Sequence, residues 1–342
     1  MSSHHNNASW WWGELHMTDI GRSLVPTFVV GPDSACVAAV ADGLRRCDGV
    51  IGFGRPLEVF SEMPGLVDVV ANSEVLYSPT RQAEAKEHVL RRWEQIVGAQ
   101  NAEHGPALGS PQVCEEARAA MPAYLAALPT GRWLGRDLHA VHDATTRFLH
   151  ALARGHAQWS LAPRVLLDQA PFGLLTSRTL LRILPEARFI HVVREPTDLV
   201  RSLASDVWGP IAIDSATTWC EQYVAAANDA MDLLPADRVL QVHWEDLQQV
   251  REQSSQTRSD IAAFLGLDPR AISTMQVGGT DAIGDARGVY DWLWMASPSA
   301  LSTLTALQQA WGYPPIVSAI RPGQRAWLPR TPAADREHHT AS

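Results

Sequence analysis

Apolar residues along this chain follow two different rhythms. Short, nearly continuous apolar runs, rich in β-branched residues, lie near 26–31, 164–168, 188–193 and 238–243, the pattern of strands buried on both faces. Segments with helical spacing separate them, and that alternation predicts an α/β fold, a central parallel sheet flanked by helices. Between 80 and 160 the pattern predicts helices only, over 83–99, 113–127 and 137–157, so this stretch reads as a helical insertion. No internal repeat is evident. The chain is therefore parsed as an N-terminal arm (1–23), one domain (24–315) containing the insertion (80–160), and a tail (316–342) whose Pro322, Gly323, Pro329 and Pro332 predict irregular structure. The arm carries Trp10, Trp11 and Trp12, which cannot all face one core and are costly to leave in water. They pack on the domain, cover a dimer partner or wall an apolar pocket.

One strand stands out because of how it ends. The run from Phe189 to Val193 leads into Arg194, and Pro196 suits the first turn of a following helix. An arginine at a strand's carboxyl end beside a helix N-terminus can seat a phosphate, and Ser202, about two turns along, can join it on the same anion. The alternative is that Arg194 pairs with Glu195, Asp198 or Glu245 and ties strand ends together.

Bulk properties narrow the function. The 342 residues are 46% hydrophobic, enough for a substantial core, and no apolar run is long enough to span a bilayer. The first residues lack the basic and apolar regions of a signal peptide, which predicts a cytoplasmic protein with no membrane partner. A net charge of -9 argues against nucleic acid as partner and favours a small-molecule substrate. Cys36, Cys47, Cys114 and Cys220 have no paired spacing, so reduced thiols and no metal are expected. Lys86 is the only lysine and reads as a solvated surface residue.

In register and residue type, the Arg194 to Ser202 element resembles the 3'-phosphate motif of the sulfotransferase superfamily, whose members move a sulfuryl group from the nucleotide donor PAPS to a hydroxyl or amine. Other segments resemble the family in order. Pro26 to Gly31 is similar to its first strand, Arg164 to Pro171 to the strand that ends in an acidic residue, lysine, threonine and proline, and Arg238 to Leu247 to a later strand ending in Glu-Asp-Leu. Ile261 to Leu267 and Ala310 to Pro314 resemble its C-terminal helical region. The resemblance spans roughly 24 to 315 and rests on order and spacing, since each motif alone is weak. It implies a sulfotransferase-like, P-loop-related fold in which PAPS or its product PAP is a candidate ligand, the 80–160 insertion helps form the acceptor pocket, and Arg287, in a basic-glycine-tryptophan element, joins Arg194 and Ser202 on the nucleotide.

The loop after the first strand departs from the family. There, backbone amides, a helix dipole and a cation stabilise charge on the sulfated phosphate. Here Asp33 stands in place of the basic residue, Ala35 of the glycine and Cys36 of the threonine, leaving Ser34 as the matching position. Losing one charge-assisted hydrogen bond costs ~1.5–3 kcal/mol, and added repulsion makes a drop of roughly a hundredfold in sulfuryl transfer reasonable. Ala35 would be strained if the loop demands positive φ. Gln169 and Ala170 replace the lysine and threonine of the second motif.

Candidate chemistry therefore centres on carboxylates. Asp168 ends its strand in the crevice where substrate would lie and can act as general base, or cap a helix or pair with an arginine instead. Asp33 can form an acid and base pair with Asp168, or serve as the N-cap of the next helix. Cys36 is a nucleophile candidate at a helix N-terminus or a buried filler. His139, His142, Asp143 and His150 share a helix, where a polar face is the simpler reading than a metal site. Glu245 and Asp246 suit the first turn of the next helix. Three functional readings follow: a sulfotransferase-fold enzyme of specialised metabolism that performs elimination, cyclisation or hydrolysis on a small apolar substrate; a PAPS-dependent sulfotransferase acting on a small hydroxylated acceptor; and a non-catalytic protein that binds nucleotide or a partner. A homodimer fits the tryptophan-rich arm.

Overall fold

The computed structural model describes residues 24–53, 56–57, 59–60, 65–74, 78–98, 111–128, 137–156, 159, 163–205, 209–248, 252–273, 275, 277, 293 and 296–315. The chain divides into two compact units, the first formed by Met1–Arg194 with Tyr223–Ala282 and the second by Glu195–Gln222 with Ile283–Ser342.

The first unit is built on a five-stranded sheet, parallel throughout, in the order β2-β3-β1-β4-β5. The strands are β1 (Val25–Val30), β2 (Val50–Gly52), β3 (Val165–Gln169), β4 (Arg188–Val193) and β5 (Val239–His243). β1 lies in the middle, with Phe28 in register with Asp168 on one side and Phe189 on the other. The α/β expectation holds, and four of the five strands fall where the apolar runs predict them. β2 was not anticipated. It has three residues between Gly49 and Phe53, too short a run for an alternation to register.

Each face of the sheet is sealed by apolar residues. On one side, Val29, Val165, Leu167, Ile190, Val192 and Val242 pack with Cys36, Val37, Val40, Ala41 and Leu44 of α1 (Ser34–Arg45), whose spacing of three and four makes a single buried stripe. Trp244, Ile261, Leu265 and Ile272 complete this core from α9 (Trp244–Gln248), α10 (Glu252–Leu265) and α11 (Pro269–Ser273). On the other face, the rings of Phe28 and Phe189 stack at 5.6 Å. Between β2 and β3 lie α2 (Leu66–Glu74), α3 (Pro79–Gly98), α4 (Pro111–Ala127) and α5 (Asp137–Arg154), and among the described residues of 80–160 there is no strand. Trp93, Tyr124 and Phe60 gather around Phe148 with centroid distances of 5.1, 4.7 and 6.2 Å, so this helical subdomain has its own aromatic core. Lys86 departs from expectation: it is half-buried, and its Nζ donates to the carbonyl of Leu128 just past α4 at 2.7 Å. A cation there satisfies an orphan carbonyl and complements the helix dipole.

After a short 3-10 turn at Gly173–Thr176, α6 (Ser177–Ile183) leads into β4. The second unit contains α7 (Pro196–Ser205), the first half of α8 (Ile213–Asp232), and α12 (Pro298–Ala310). α7 starts at Pro196 as the sequence predicts. Glu195, just before it, accepts the Asp198 amide at 3.0 Å, the Thr197 hydroxyl, and Gln308 Nε2 of α12 at 2.6 Å. One carboxylate thus caps a helix and ties it to its neighbour. Ser297 caps α12 in the same way, receiving the Ala300 amide at 3.2 Å.

Candidate functional site

The candidate site begins where β1 ends. The Gly31 amide donates to the Pro171 carbonyl at 2.7 Å, and a Cβ on Gly31 would lie 2.4 Å from the Val192 carbonyl oxygen. That contact is with backbone, which cannot swing aside, so only glycine lets β1 leave the sheet this close to β4. Pro32 follows, and Asp33 then takes an extended conformation (φ -106°, ψ 106°) as the N-cap of α1. Its Oδ1 accepts the amides of Ala35 at 3.0 Å and Cys36 at 3.1 Å. These are first-turn N–H groups that no carbonyl of α1 can reach.

The other carboxylate oxygen is engaged as well. Arg194 Nη1 donates to Asp33 Oδ2 at 2.8 Å, and the two side chains are only 9% and 4% exposed. The pair comes from topology, because Arg194 immediately follows β4, Asp33 follows β1, and these strands are neighbours in the sheet. It joins residues 161 apart in sequence. The sequence offered Glu195, Asp198 and Glu245 as partners for Arg194 and missed Asp33; the available signal was that both residues end strands, which becomes decisive only with the strand order.

The electrostatic consequence is that an anion already sits at the N-terminus of α1, and it belongs to the protein. A single carboxylate answers two helix-terminal amides and one buried guanidinium. Cys36 lies beneath it, with Sγ 4.0 Å from Arg194 Nη1. Burial drives the Cys36 thiol far above its ordinary range, and the charge of Asp33 adds to this more than Arg194 takes away. This favours the buried-filler reading of Cys36 over the nucleophile, since a thiol held protonated attacks poorly. Ala35 is corrected: it lies within the first turn of α1, in ordinary helical backbone, so no positive φ is demanded of it. Ser34 is exposed at the start of the same helix.

Asp168 occupies the penultimate position of β3 and is buried. Its Oδ1 accepts the Leu57 amide and its own neighbour's, Gln169, both at 2.8 Å, which fixes the plane of the carboxylate. It shares a face of the sheet with Phe28 and Phe189, by register. Asp33 and Asp168 thus each have their own set of donors. On the same face, fully buried His191 is in register with Gln241 of β5, and its Nε2 lies 3.4 Å from the Tyr223 hydroxyl. Burial lowers the His191 pKa to about 4. Sequence reasoning did not single out His191 or Tyr223, which look like ordinary strand and helix residues until α8 is laid on the sheet.

Ser202 is half-buried on α7, in the second unit. Arg287 and the tryptophans at 10–12 lie outside the described residues. His139, His142, Asp143 and His150 are all on α5, where His142 Nδ1 lies 3.0 Å from the Ile183 carbonyl oxygen. Glu245 and Asp246 fall in the first turn of α9. Among the described residues no group of three or more His, Cys, Asp or Glu side chains is placed to hold a metal ion, and no helix is long and apolar enough to cross a membrane. All four cysteines are free and buried.

Residues 80–270 match the Sulfotransferase family. The chain is similar in structure to the sulfotransferase domain of the olefin synthase of Synechococcus PCC 7002, with a TM-score of 0.50 and 18% identity over 86% of this chain and 96% of that one. It is also similar to the sulfotransferase domain of the curacin biosynthetic pathway (TM-score 0.45, 13% identity, 85% and 98% covered). A sulfotransferase from Alicyclobacillus acidocaldarius is a further neighbour (TM-score 0.41, 15% identity, 84% and 96% covered). No curated protein matches the sequence.

Proposed function

The chain belongs to the sulfotransferase family, and from that premise we propose that it is a divergent member acting on a small, rather apolar substrate without conventional sulfuryl transfer from PAPS. The observation that carries this reading is the Asp33 carboxylate, which takes the Ala35 and Cys36 amides and Arg194 at 2.8 to 3.1 Å. In this reading the residues present do not fit a phosphosulfate at the start of α1. The donors such a group would need are committed, and an approaching anion would meet a negative charge where the family has a positive one. Displacing Asp33 means breaking a buried ion pair, which costs about 3–5 kcal/mol, or roughly two to four orders of magnitude in affinity.

The chemistry we assign instead rests on Asp168. Its Oδ1 is held by two backbone amides, so the carboxylate is preorganised instead of mobile. A proton passes to Asp168 from the substrate, or from an attacking water in hydrolysis; the freed electron pair makes the new bond while the bond to the leaving group breaks and the leaving group departs with that bond's electrons. Elimination, cyclisation and hydrolysis all have this form, and none needs an external sulfuryl donor. Asp33 holds Arg194 and the β1–α1 turn in place and so shapes the floor of the site. A biosynthetic setting in specialised metabolism belongs to the same reading; a domain of an olefin synthase is one neighbour of this fold.

A second reading keeps PAPS as donor to a hydroxylated acceptor, and the observation in its favour is Arg194 at the end of β4. It requires Asp33 to leave Arg194. Incubating the protein with PAPS and a panel of phenols and aliphatic alcohols, then measuring PAP release by chromatography, separates the two. The proposed reading expects no release above the rate in buffer. Acceptor-dependent PAP release that disappears in Arg194→Ala would overturn it.

A further inference from the structure

Four large apolar side chains are markedly exposed among the described residues, and two of them, Phe172 (43%) and Leu175 (45%), stand on one turn. The other two, Ile211 and Leu233, are isolated on the chain, as single exposed apolar residues often are. Phe172 and Leu175 follow directly from β3, in the stretch that starts at Asp168 and leaves the sheet through Pro171. The Leu175 amide donates to the Phe172 carbonyl at 3.0 Å, closing a turn of 3-10 geometry. Phe172 immediately precedes this turn and Leu175 lies within it, and both side chains are exposed. Gly173 and Leu174 are buried.

Phe172 is exposed, yet its orientation is built in. Tyr223 meets its ring edge-on at 6.4 Å with an interplanar angle of 69°. Tyr223 is itself buried, with its hydroxyl against His191 in the middle of β4. A ring that already meets a buried ring at one edge is partly ordered before any ligand arrives, which lowers the ordering cost for a partner that packs on it. Its position, just beyond the carboxyl end of a central strand of a parallel sheet, is where ligands of such folds bind.

From this we infer that Phe172 and Leu175 form an apolar ledge that receives a ring-bearing, uncharged portion of the substrate, with Phe172 as the specificity-determining residue. The inference rests on the small-molecule reading above and names the substrate class. The size of the ledge fits this occupant: the two exposed portions offer roughly 150 Å², far below the ~800 Å² per partner that a stable dimer buries. Covering the exposed part of Phe172 at ~25 cal/mol per Å² corresponds to about thirtyfold in affinity.

The test uses the full-length protein with its phenylalanines replaced by 4-fluorophenylalanine, the Phe172 resonance being assigned from Phe172→Leu. 2-Naphthol and cyclohexanol serve as probes, and calorimetry runs in parallel. The ledge predicts that 2-naphthol shifts the Phe172 signal and binds more tightly than cyclohexanol. It also predicts about thirtyfold weaker 2-naphthol binding in Phe172→Ala, and a smaller loss in Leu175→Ala, with melting temperatures unchanged. Equal 2-naphthol affinity in Phe172→Ala would overturn the inference. So would a Phe172 signal that responds to protein concentration instead of ligand, which would mean a second copy of the chain, or to removal of residues 1–23, which would mean the tryptophan arm. PAP release from PAPS would refute the reading of the reaction while leaving this result intact, so the two failures are distinguishable.

Discussion

Breaking the Asp33 to Arg194 pair should be among the most costly single changes in the first unit. At 2.8 Å, with both side chains buried, the attraction is about 6 kcal/mol at an effective dielectric of ~20. Much of that offsets the desolvation of both groups, so the pair's net worth is smaller than the cost of removing one partner. Asp33→Asn keeps an acceptor for the Ala35 and Cys36 amides but replaces the charged partner 2.8 Å from Arg194 with a neutral one, and should cost about 3 kcal/mol. Asp33→Ala also loses the N-cap and should cost about 1 kcal/mol more. Arg194→Met leaves a buried carboxylate without its charged donor and should cost about 3–5 kcal/mol. Once one partner is gone the other is better removed, so Asp33→Asn with Arg194→Met should recover about 2 kcal/mol relative to the sum of the singles. Urea unfolding followed by far-UV circular dichroism, with all four proteins in one double-mutant cycle, measures this. Single costs below about 1 kcal/mol with a coupling near zero would refute the reasoning.

Three further changes follow from the same structure. His191 has its pKa depressed to about 4 by burial, so the folded state holds it neutral. The unfolded chain binds a proton below about pH 6.5, and stability should therefore fall as pH drops from about 6.5 toward 4, by on the order of 2–3 kcal/mol; His191→Gln should flatten that part of a stability-versus-pH curve measured in urea, and an unchanged slope would contradict it. Gly31→Ala places a Cβ 2.4 Å from the Val192 carbonyl oxygen, so the variant should lose several kcal/mol or fail to accumulate as folded protein, with a wild-type melting temperature as the opposing outcome. Lys86→Met removes the donor to Leu128 O at the end of α4 and should cost about 1 kcal/mol, whereas a residue simply in solvent would cost nothing measurable in thermal melts.

The parallel sheet was legible because its strands are buried on both faces and so write themselves as continuous apolar runs. β1, β3, β4 and β5 all carry that signal, and β2, three residues at the edge next to β3, does not. The helices of the insertion were legible for the same reason: Val141, Ala144, Phe148 and Leu152 of α5 are buried at spacings of three and four. The site was legible residue by residue but not as a set. Asp33 as an N-cap follows from local preference, since its carboxylate reaches amides two and three positions ahead. Its bond to Arg194 depends on β1 and β4 being neighbours, and local pattern does not encode which strands pair. The role of Tyr223 is hidden for a similar reason: a tyrosine in an amphipathic helix carries no mark that it will meet His191 below and Phe172 at its edge. Lys86 was misread because a lone lysine among Glu84, Glu87 and His88 looks solvated, and only the packing of α3 on α4 brings it to the Leu128 carbonyl.

The central claim is that Asp33 fills the anion seat at the start of α1, and calorimetric titration with PAP tests it most directly, using the intact protein, Asp33→Ser and Arg194→Ala. The account predicts no binding by the intact protein up to about 1 mM, and measurable binding by Asp33→Ser, in which the seat is vacated while a short N-cap remains. Micromolar binding by the intact protein that is lost in Arg194→Ala would contradict it, and would restore nucleotide-dependent transfer as the function of this chain.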